Sequence, residues 1–199
     1  SFVATSTGKL FPNPRPFKNL ERKLKLLQQR VSRKSRGSNN RNKAQDKVSK
    51  LHERIGNIRK NYHWELAHNL CDQAGMIFAE DLNLKGLAKG MLAKHCLDAG
   101  WGQFLQILSQ CCLKRGVFFQ KVDARKTSQI CPKCLTETGK KTLAERVHSC
   151  SNCGYTTDRD VAAAQVVAIG GLAAVGHTVK MLSEGKFVGI PQMKESPLF

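Results

Sequence analysis

The longest regular pattern of apolar positions is helical and occupies the first third of the chain. Apolar residues recur three or four positions apart in two blocks, which are separated by the polar run Gly37-Ser38-Asn39-Asn40. This spacing predicts two helices, each with one apolar face. The apolar positions are Leu20, Leu24, Leu27 and Val31 in the first block and Val48, Leu51, Ile55, Ile58 and Tyr62 in the second. The short polar connection predicts an antiparallel helical hairpin over residues 18–67.

Short apolar runs bounded by polar residues mark the strands. Residues 1–11 read as strand, turn and strand, residues 75–79 read as a buried strand, and residues 117–122 read as the next strand. A helix is expected over 101–113, ended by Gly116, and another over 160–169. The buried face of the first of these is expected to be Phe104, Leu105, Leu108 and Cys112. Residues 86–100 are expected to be irregular, and the tail over 173–199 has only a weak pattern. Strands that alternate with helices indicate an α/β fold.

Acidic residues lie at one end of two of these predicted elements. Glu80 and Asp81 come directly after the first buried strand, and Asp158 and Asp160 open the last helix. Acids at the carboxyl end of a strand lie where open α/β sheets hold active sites. An ordinary strand-end turn is the alternative for Glu80. Simple helix capping is the alternative for Asp158 and Asp160.

Four cysteines form the pattern C-x2-C-x15-C-x2-C. They are Cys131, Cys134, Cys150 and Cys153. A two-residue gap lets both thiolates of a pair face one ion, and this spacing is typical of a structural zinc site. Four unligated core cysteines are the alternative. Four thiolates leave no open coordination position, so we expect this zinc to stabilise structure and not to act in chemistry.

The charge of the chain indicates a polyanionic partner. The formal net charge is +18, and residues 18–60 alone hold 15 Lys and Arg against three Asp and Glu. A solvated helical face is the alternative, but such faces usually mix charge signs, whereas one sign needs a polyanion to neutralise it. We therefore expect nucleic-acid contacts from the hairpin loop. The best candidates are Arg33, Lys34, Arg36 and Arg41.

Two function classes are disfavoured by composition. The sequence has no run of about twenty apolar residues, which a membrane-spanning helix requires, and it does not open with a signal-peptide pattern. Eight cysteines without such a signal indicate a reducing compartment. The cysteines outside the zinc pattern are expected to be small core residues. They are Cys71, Cys96, Cys111 and Cys112.

Three motifs in order resemble the TnpB/OrfB proteins of bacterial insertion sequences, which are related to type V CRISPR effector nucleases. They are FAEDLNLKGL (78–87), VDARKTSQICPKC (122–134) and CSNCGYTTDRDVAAA (150–164). The basic segments RKSRGSNNRNKA (33–44) and KLHERIGNIRK (50–60) also match. The similarity extends over residues 1 to about 170, and three motifs in the same order are more specific than any one of them.

The resemblance implies an RNase H-like (RuvC) core with a basic α-helical hairpin insertion and a four-cysteine zinc-ribbon insertion. The core would comprise residues 1–17, 68–126 and 158–172, the hairpin 18–67, the zinc ribbon 127–157 and the tail 173–199. Glu80 and Asp160 would be catalytic ligands of Mg²⁺ or Mn²⁺, with Asp158 as a supporting neighbour. Ala162 stands where the family usually has Asn.

The resemblance also implies DNA and a guide RNA as partners, and a prokaryotic, cytoplasmic, nucleoid-associated protein. The first catalytic Asp of the family would precede Ser1, so we expect this chain to be impaired in catalysis. Three functions stay open at this point. They are an RNA-guided DNA endonuclease, a non-catalytic nucleic-acid-binding remnant and a transposase that joins strands.

Overall fold

A computed structural model describes residues 1–89, 93–123, 125–142, 144–181 and 187–191. The described chain has both helices and strands, so the predicted mixed α/β content is confirmed. It divides into two compact units. The helical unit comprises residues 13–75 and 83–117, and the sheet unit comprises residues 1–12, 76–82 and 118–199. The predicted domain boundaries follow the family resemblance and stay a prediction.

The basic hairpin opens the helical unit. Helix α1 (Pro16–Ser32) has Pro16 in its first turn, so it begins two residues before the predicted start. Helix α2 (Asn39–Gln73) is 35 residues long, and the Ser38 hydroxyl caps it by accepting from Arg41 N–H. The two helices share a buried cluster, which confirms the predicted pairing. Its members are Leu24, Val31, Val48, Leu51 and Ile55.

The outer end of the predicted apolar face of α2 is not buried. Ile58 is 38% exposed, and Tyr62 is only half-buried. Helix α1 has 17 residues, about half the length of α2, so it covers only the first turns of its partner. The prediction that Ile58 belongs to the buried face was therefore wrong.

Three further helices complete the helical unit. They are α3 (Leu84–Leu87), α4 (Ala93–Ala99) and α5 (Trp101–Arg115). The first two lie largely in the segment that was expected to be irregular, which corrects that prediction. Helix α4 also supplies the cap that α1 lacks, because the Asp98 carboxylate accepts from Phe17 N–H at 2.9 Å and Lys18 N–H at 3.2 Å.

Helix α5 ends at Gly116, which has φ 68° and thus the left-handed conformation that a helix stop favours. It packs against α2. Its buried residues are Phe104, Ile107, Leu108, Cys111 and Cys112. Leu105 is only half-buried, which corrects the predicted face. Cys71, Cys111 and Cys112 are core residues as expected, whereas Cys96 is half-buried.

The sheet unit contains four two-stranded sheets among the described residues. Strands β1 (Val3–Ala4) and β2 (Leu10–Phe11) form the predicted opening hairpin. Strands β3 (Met76–Asp81) and β4 (Phe118–Asp123) pair in parallel. Strands β5 (Val147–Ser149) and β6 (Thr156–Asp158) pair in antiparallel fashion.

Helix α6 (Arg159–Ala174) follows β6 and runs beyond its predicted end. It is followed by the antiparallel strands β7 (His177–Met181) and β8 (Phe187–Pro191). Both strands lie in the tail, which had shown only a weak pattern. The rest of that tail, residues 182–186 and 192–199, lies outside the described residues.

The parallel pair β3–β4 brings two acid-bearing strand ends to one edge. Glu80 is opposite Val122, and Asp81 is opposite Asp123. The prediction that β3 is a buried strand was wrong, because none of its residues is fully buried and Met76 is 41% exposed. Helix α6 packs against both strands. Gly171 allows the close approach, since a Cβ at this position would overlap the Phe78 ring.

Candidate metal centres

Strand β3 and helix α6 bring Glu80 and Asp160 together within the sheet unit. Glu80 is the penultimate residue of β3, and Asp160 lies in the first turn of α6. The two carboxylates are close enough that the charge of Asp160 raises the pKa of Glu80. The two acids that the resemblance singled out therefore lie within electrostatic reach of each other, although 80 positions separate them in the sequence.

The Glu80 carboxyl is partly buried and thus shielded from solvent. Burial is the main cause that raises its pKa above the ordinary value, and the charge of Asp160 raises it further. The Thr127 hydroxyl donates to Glu80 Oε1 at 3.0 Å and works in the opposite direction, because it stabilises the ionised form. A cation at this place would remove the cost of the buried charge.

The start of α6 holds Asp160 in place. The Asp158 carboxylate caps the helix by accepting from Asp160 N–H at 2.8 Å and Val161 N–H at 3.4 Å. Asp158 therefore caps the helix, which was the simpler alternative for this residue. Its hydrogen bond also fixes the backbone of Asp160. The Ser1 hydroxyl donates to Asp160 Oδ2 at 2.7 Å. Ala162 is 1% exposed and offers no polar side-chain group to Asp160.

The neighbouring acids at the strand ends are engaged elsewhere. Asp81 lies 3.6 Å from Lys121 Nζ, and Asp123 lies 3.5 Å from Arg125 Nε. Glu80 and Asp160 thus remain as two carboxylates, with the hydroxyls of Thr127 and Ser1 beside them and the Ser1 ammonium 3.9 Å from Asp160 Oδ2. Such hard oxygen donors fit Mg²⁺ or Mn²⁺.

A second centre consists of the four patterned cysteines. Their sulfur atoms all lie within 4.8 Å of one another, with Cys131–Cys153 and Cys134–Cys150 both at 3.6 Å. Zn–S bonds of about 2.3 Å in a tetrahedron require sulfur separations of about 3.8 Å. The predicted convergence is confirmed, and the four donors fit zinc. In the part of the chain that the structure describes, no other group of three or more His, Cys, Asp or Glu side chains converges as closely.

The two cysteine knuckles have the same backbone geometry. Cys131 O accepts from Leu135 N–H at 2.8 Å, and Cys150 O accepts from Gly154 N–H at 2.9 Å. Cys131 N–H and Cys150 N–H donate in turn to Thr136 O and Tyr155 O, both at 2.9 Å. A local turn thus positions each pair of sulfurs, which explains why spacing alone could predict their meeting.

The surroundings of one thiol favour a metal-binding thiolate. The Thr136 hydroxyl lies 3.3 Å from Cys134 Sγ and is the main cause that lowers the pKa of this thiol to about 5. Asn152 donates to the same hydroxyl at 3.0 Å, which leaves the Thr136 proton available for the sulfur. Burial instead raises the pKa of Cys131, so of the first pair only Cys134 favours the thiolate when no cation is bound.

Three of the four basic residues predicted for nucleic-acid contact have distinct places in the hairpin. Arg33 and Lys34 line a groove of about 410 Å³ between α1 and α2. Arg41 instead donates to Val31 O at 3.4 Å and Lys34 O at 3.2 Å, so it caps the end of α1. The other residues that line this groove, called the basic groove below, are Leu27, Arg30, Asn40, Lys43, Ala44 and Lys47. Arg36 is exposed and does not line it.

Two family models match adjacent parts of the chain. The OrfB model, described as a probable transposase, matches residues 1–91. The model described as Cas12f1-like, TNB domain, matches residues 101–167, which include both cysteine pairs and Asp160. A "Putative RNA-guided DNA endonuclease" of Streptomyces pristinaespiralis is 34% identical over 99% of this chain. Over most of its length, the chain is similar to members of the TnpB/OrfB family.

Another TnpB/OrfB relative is the "Putative RNA-guided DNA endonuclease InsQ" of Escherichia coli strain K12. It is 30% identical over 96% of this chain. This chain covers 50% of the length of each of these two relatives. It therefore spans about half of the curated proteins that it matches.

The fold of this chain is similar to that of a solved Cas12f1 structure. A chain of the "Cryo-EM structure of the Cas12f1-sgRNA-target DNA complex" matches 76% of the chain with a TM-score of 0.55 and 16% identity. The match covers 41% of the Cas12f1 chain. Within the described ranges, no helix has both the length and the apolar character that crossing a membrane would require.

Sequence reasoning missed Thr127. In the sequence Thr127 is only the first residue of the predicted zinc ribbon, yet its hydroxyl contacts Glu80, 47 positions earlier. Thr127 lies four residues before Cys131, and nothing in its spacing indicates such a contact. The one signal in the sequence was that Thr127 lies inside VDARKTSQICPKC, a motif that carries the family resemblance.

Proposed function

We propose that this chain supplies the metal-binding acids and the zinc ribbon of an RNA-guided DNA endonuclease with an RNase H-like (RuvC) core. The observation that carries this proposal is the proximity of Glu80 and Asp160, which β3 and α6 bring together. The similarity to the family and the names of the relatives support the reaction class. The domain arrangement predicted from the resemblance is part of the same proposal.

Glu80 and Asp160 would hold the divalent metal. A pair of Mg²⁺ or Mn²⁺ ions supplies charge stabilisation for the attacking and leaving oxygens of a phosphodiester. The chain contributes the placement of the ligands. Thr127 holds one oxygen of Glu80, and Asp158 holds the backbone of Asp160 at the start of α6. The partly buried position of Glu80 keeps competing water away from its carboxylate.

Metal-dependent DNA cleavage tests this proposal. Any cleavage of single-stranded DNA by this chain, which the sequence predicts to be impaired, should require Mn²⁺, and Glu80→Gln and Asp160→Asn should abolish it because each removes an anionic ligand. Asp81→Asn is the matched control, since Asp81 is adjacent to Glu80 but pairs with Lys121. Cleavage that survives in Glu80→Gln would contradict the assignment of this acid.

A non-catalytic nucleic-acid-binding module is the second candidate function. The observation that favours it is that the acid pair provides only two carboxylates, whereas the basic groove has five cationic lining residues. Absence of Mn²⁺-dependent cleavage by the unaltered chain, together with retained nucleic-acid binding, would favour this candidate over the nuclease.

We propose zinc as the ion of the four-cysteine centre. Cys131, Cys134, Cys150 and Cys153 would hold it as thiolates in a closed shell, so that its role is to stabilise the ribbon. Elemental analysis of the purified protein should find about one zinc per chain. A substantially lower zinc content in folded protein would contradict this proposal.

DNA and a guide RNA are the proposed partners, and the basic groove is a proposed contact site. The five cations are Arg30, Arg33, Lys34, Lys43 and Lys47, and no carboxylate of the described residues lines the groove. The N-terminus of α2, which has no acidic residue in its first turn, adds its positive dipole end. The described lining also lacks an aromatic side chain, so the groove suits a sugar–phosphate backbone better than stacked single-stranded bases.

A further inference from the structure

A short turn between β4 and the first cysteine knuckle contacts Glu80 on one side and residues of the four-cysteine ribbon on the other. This turn, Thr127–Gln129, is a single 3-10 turn. On one side, the Thr127 hydroxyl donates to Glu80 Oε1 at 3.0 Å. On the other side, Lys141 Nζ donates to Ser128 O at 3.2 Å, and Thr138 donates to Gln129 O from its N–H at 2.7 Å and its hydroxyl at 3.1 Å.

The turn is held firmly in place. Thr127 is 7% exposed, and the turn packs against α6, the helix that carries Asp160. Lys141 also donates to Thr138 Oγ1 at 2.9 Å and contacts His148 Nδ1 at 3.0 Å. Its ammonium group therefore has three partners inside the ribbon, which uses its full set of donors. Displacement of the ribbon would break bonds that now hold the turn.

We propose that Thr127 is a positioning residue that orients the Glu80 carboxylate toward a divalent cation, and that zinc loading of the ribbon fixes Thr127 in this place. This inference rests on the proposed function of Glu80 as a metal ligand. It makes the turn Thr127–Gln129 a physical link between the structural and the catalytic metal.

The effect follows from the hydrogen bond at one carboxylate oxygen. With Oε1 held by the Thr127 hydroxyl, the Glu80 side chain loses rotational freedom before the cation arrives. Loss of a hydrogen-bond partner behind a metal ligand lowers metal affinity on the order of tenfold or more. Without zinc, the ribbon would no longer hold Ser128 and Gln129 in place, and Thr127, which directly precedes them in the chain, would move with them.

A titration with Mn²⁺, in which electron paramagnetic resonance reports the free ion, tests the positioning role. The unaltered chain, Thr127→Val, Thr127→Ser and Glu80→Gln are compared in their zinc-loaded forms. Thr127→Val keeps the shape but removes the hydroxyl, and we expect it to weaken Mn²⁺ binding about tenfold. Thr127→Ser keeps the hydroxyl and should restore the affinity, while zinc content stays at the level of the unaltered chain.

The link to zinc is tested by repeating the titration on zinc-free protein. We expect zinc removal to weaken Mn²⁺ binding in the unaltered chain and to have little further effect in Thr127→Val. Thr138→Val, which removes one of the two bonds to Gln129 O, should give a smaller loss in the zinc-loaded protein. An equal effect of zinc removal in both proteins would overturn the proposed link.

The outcomes separate this inference from the proposed function. If Glu80→Gln loses Mn²⁺ binding but Thr127→Val keeps it, the positioning role is wrong while the acid site stands. If Glu80→Gln binds Mn²⁺ as well as the unaltered chain, or if the unaltered chain does not bind it, both are wrong. If Thr127→Val does not fold, weak Mn²⁺ binding by a folded Thr127→Ser would overturn the role of the hydroxyl.

Discussion

Leu135 and Gly154 occupy the same position in the two cysteine knuckles. Both have positive φ, at 59° and 69° respectively, and each donates its N–H to the first cysteine of its knuckle. Glycine adopts this conformation without strain, whereas a residue with a Cβ does so at a cost of about 1–2 kcal/mol. The first knuckle therefore carries backbone strain that the second avoids.

Exchanging these residue types should change stability in opposite directions. We expect Leu135→Gly to raise the free energy of unfolding of the zinc-loaded protein by about 0.5 kcal/mol, because relief of strain exceeds the entropy cost of glycine. Gly154→Ala should lower it by about 1 kcal/mol. Denaturant unfolding gives both values. Leu135→Ala keeps the Cβ, so as a control it should not raise the free energy of unfolding. A Gly154→Ala protein with an unchanged free energy of unfolding would contradict the strain argument.

The environment of Glu80 makes a prediction about pH. Its pKa in the folded protein is raised above the ordinary value of 4.5 by burial and by Asp160. The fold thus favours the neutral carboxyl, and this contribution is complete below the unfolded pKa and is lost as pH rises through the folded pKa. At neutral pH the ionised Glu80 destabilises the metal-free protein.

Glu80→Gln should therefore stabilise the metal-free protein at pH 7 and have little effect below about pH 4. Thermal unfolding of both proteins across this pH range measures the difference. Added Mn²⁺ should stabilise the unaltered protein and leave Glu80→Gln unchanged, since only the former binds the ion. If Glu80→Gln were instead less stable than the unaltered protein at pH 7 without metal, the charge of ionised Glu80 would not destabilise the folded protein.

At the scale of elements, the approach of α6 to β3 depends on one glycine. A Cβ at Gly171 would overlap the Phe78 ring, whereas a Cβ at the preceding Gly170 would meet Val122 Cγ1 at an ordinary 3.6 Å. The two adjacent glycines lie in the same helix and differ in this contact. This pair therefore separates the effect of close packing from the effect of helix propensity.

We expect Gly171→Ala to destabilise the protein by about 1–3 kcal/mol because α6 must move away from β3. Gly170→Ala should stabilise it by up to about 1 kcal/mol through helix propensity alone. Because α6 carries Asp160, the first change should also weaken Mn²⁺ binding, and the second should not. Equal stability of the two variants in denaturant unfolding would refute the packing argument.

The basic groove between α1 and α2 gives a prediction about salt. Each phosphate that a cation neutralises adds about 0.9 to the slope of log affinity against log salt concentration. The double variant Lys43→Ala and Lys47→Ala should therefore bind duplex DNA more weakly. The magnitude of its slope should be smaller by about two. Lys50→Ala with Lys60→Ala removes the same charge outside the groove and should have a smaller effect. Fluorescence anisotropy at several salt concentrations measures both slopes, and equal slopes would contradict a role for the groove.

At the scale of the whole molecule, local patterns were the most predictable part. Cysteine spacing predicted a cluster because each knuckle is a closed turn of a few residues. Helical periodicity predicted the hairpin, because burial of one face depends on neighbours three and four positions apart. Ile58 fits the periodicity but is exposed, since the length of the partner helix decides where burial ends.

Contacts between distant segments could not be predicted from pattern alone. The hydrogen bonds of Thr127 to Glu80 and of Ser1 to Asp160 join residues 47 and 159 positions apart. Such contacts depend on how β3, α6 and the 3-10 turn pack, and no local spacing records that packing. The resemblance to a family proposed the two acids, and the structure brings them together.

The central claim is that Glu80 and Asp160 share a divalent cation. Anomalous diffraction at the manganese absorption edge, from crystals of the protein grown with MnCl₂, tests it most directly. We expect an anomalous peak at bonding distance from a carboxylate oxygen of Glu80 and one of Asp160, and no such peak in Glu80→Gln. Manganese bound at other residues, or no peak between these two carboxylates, would contradict it.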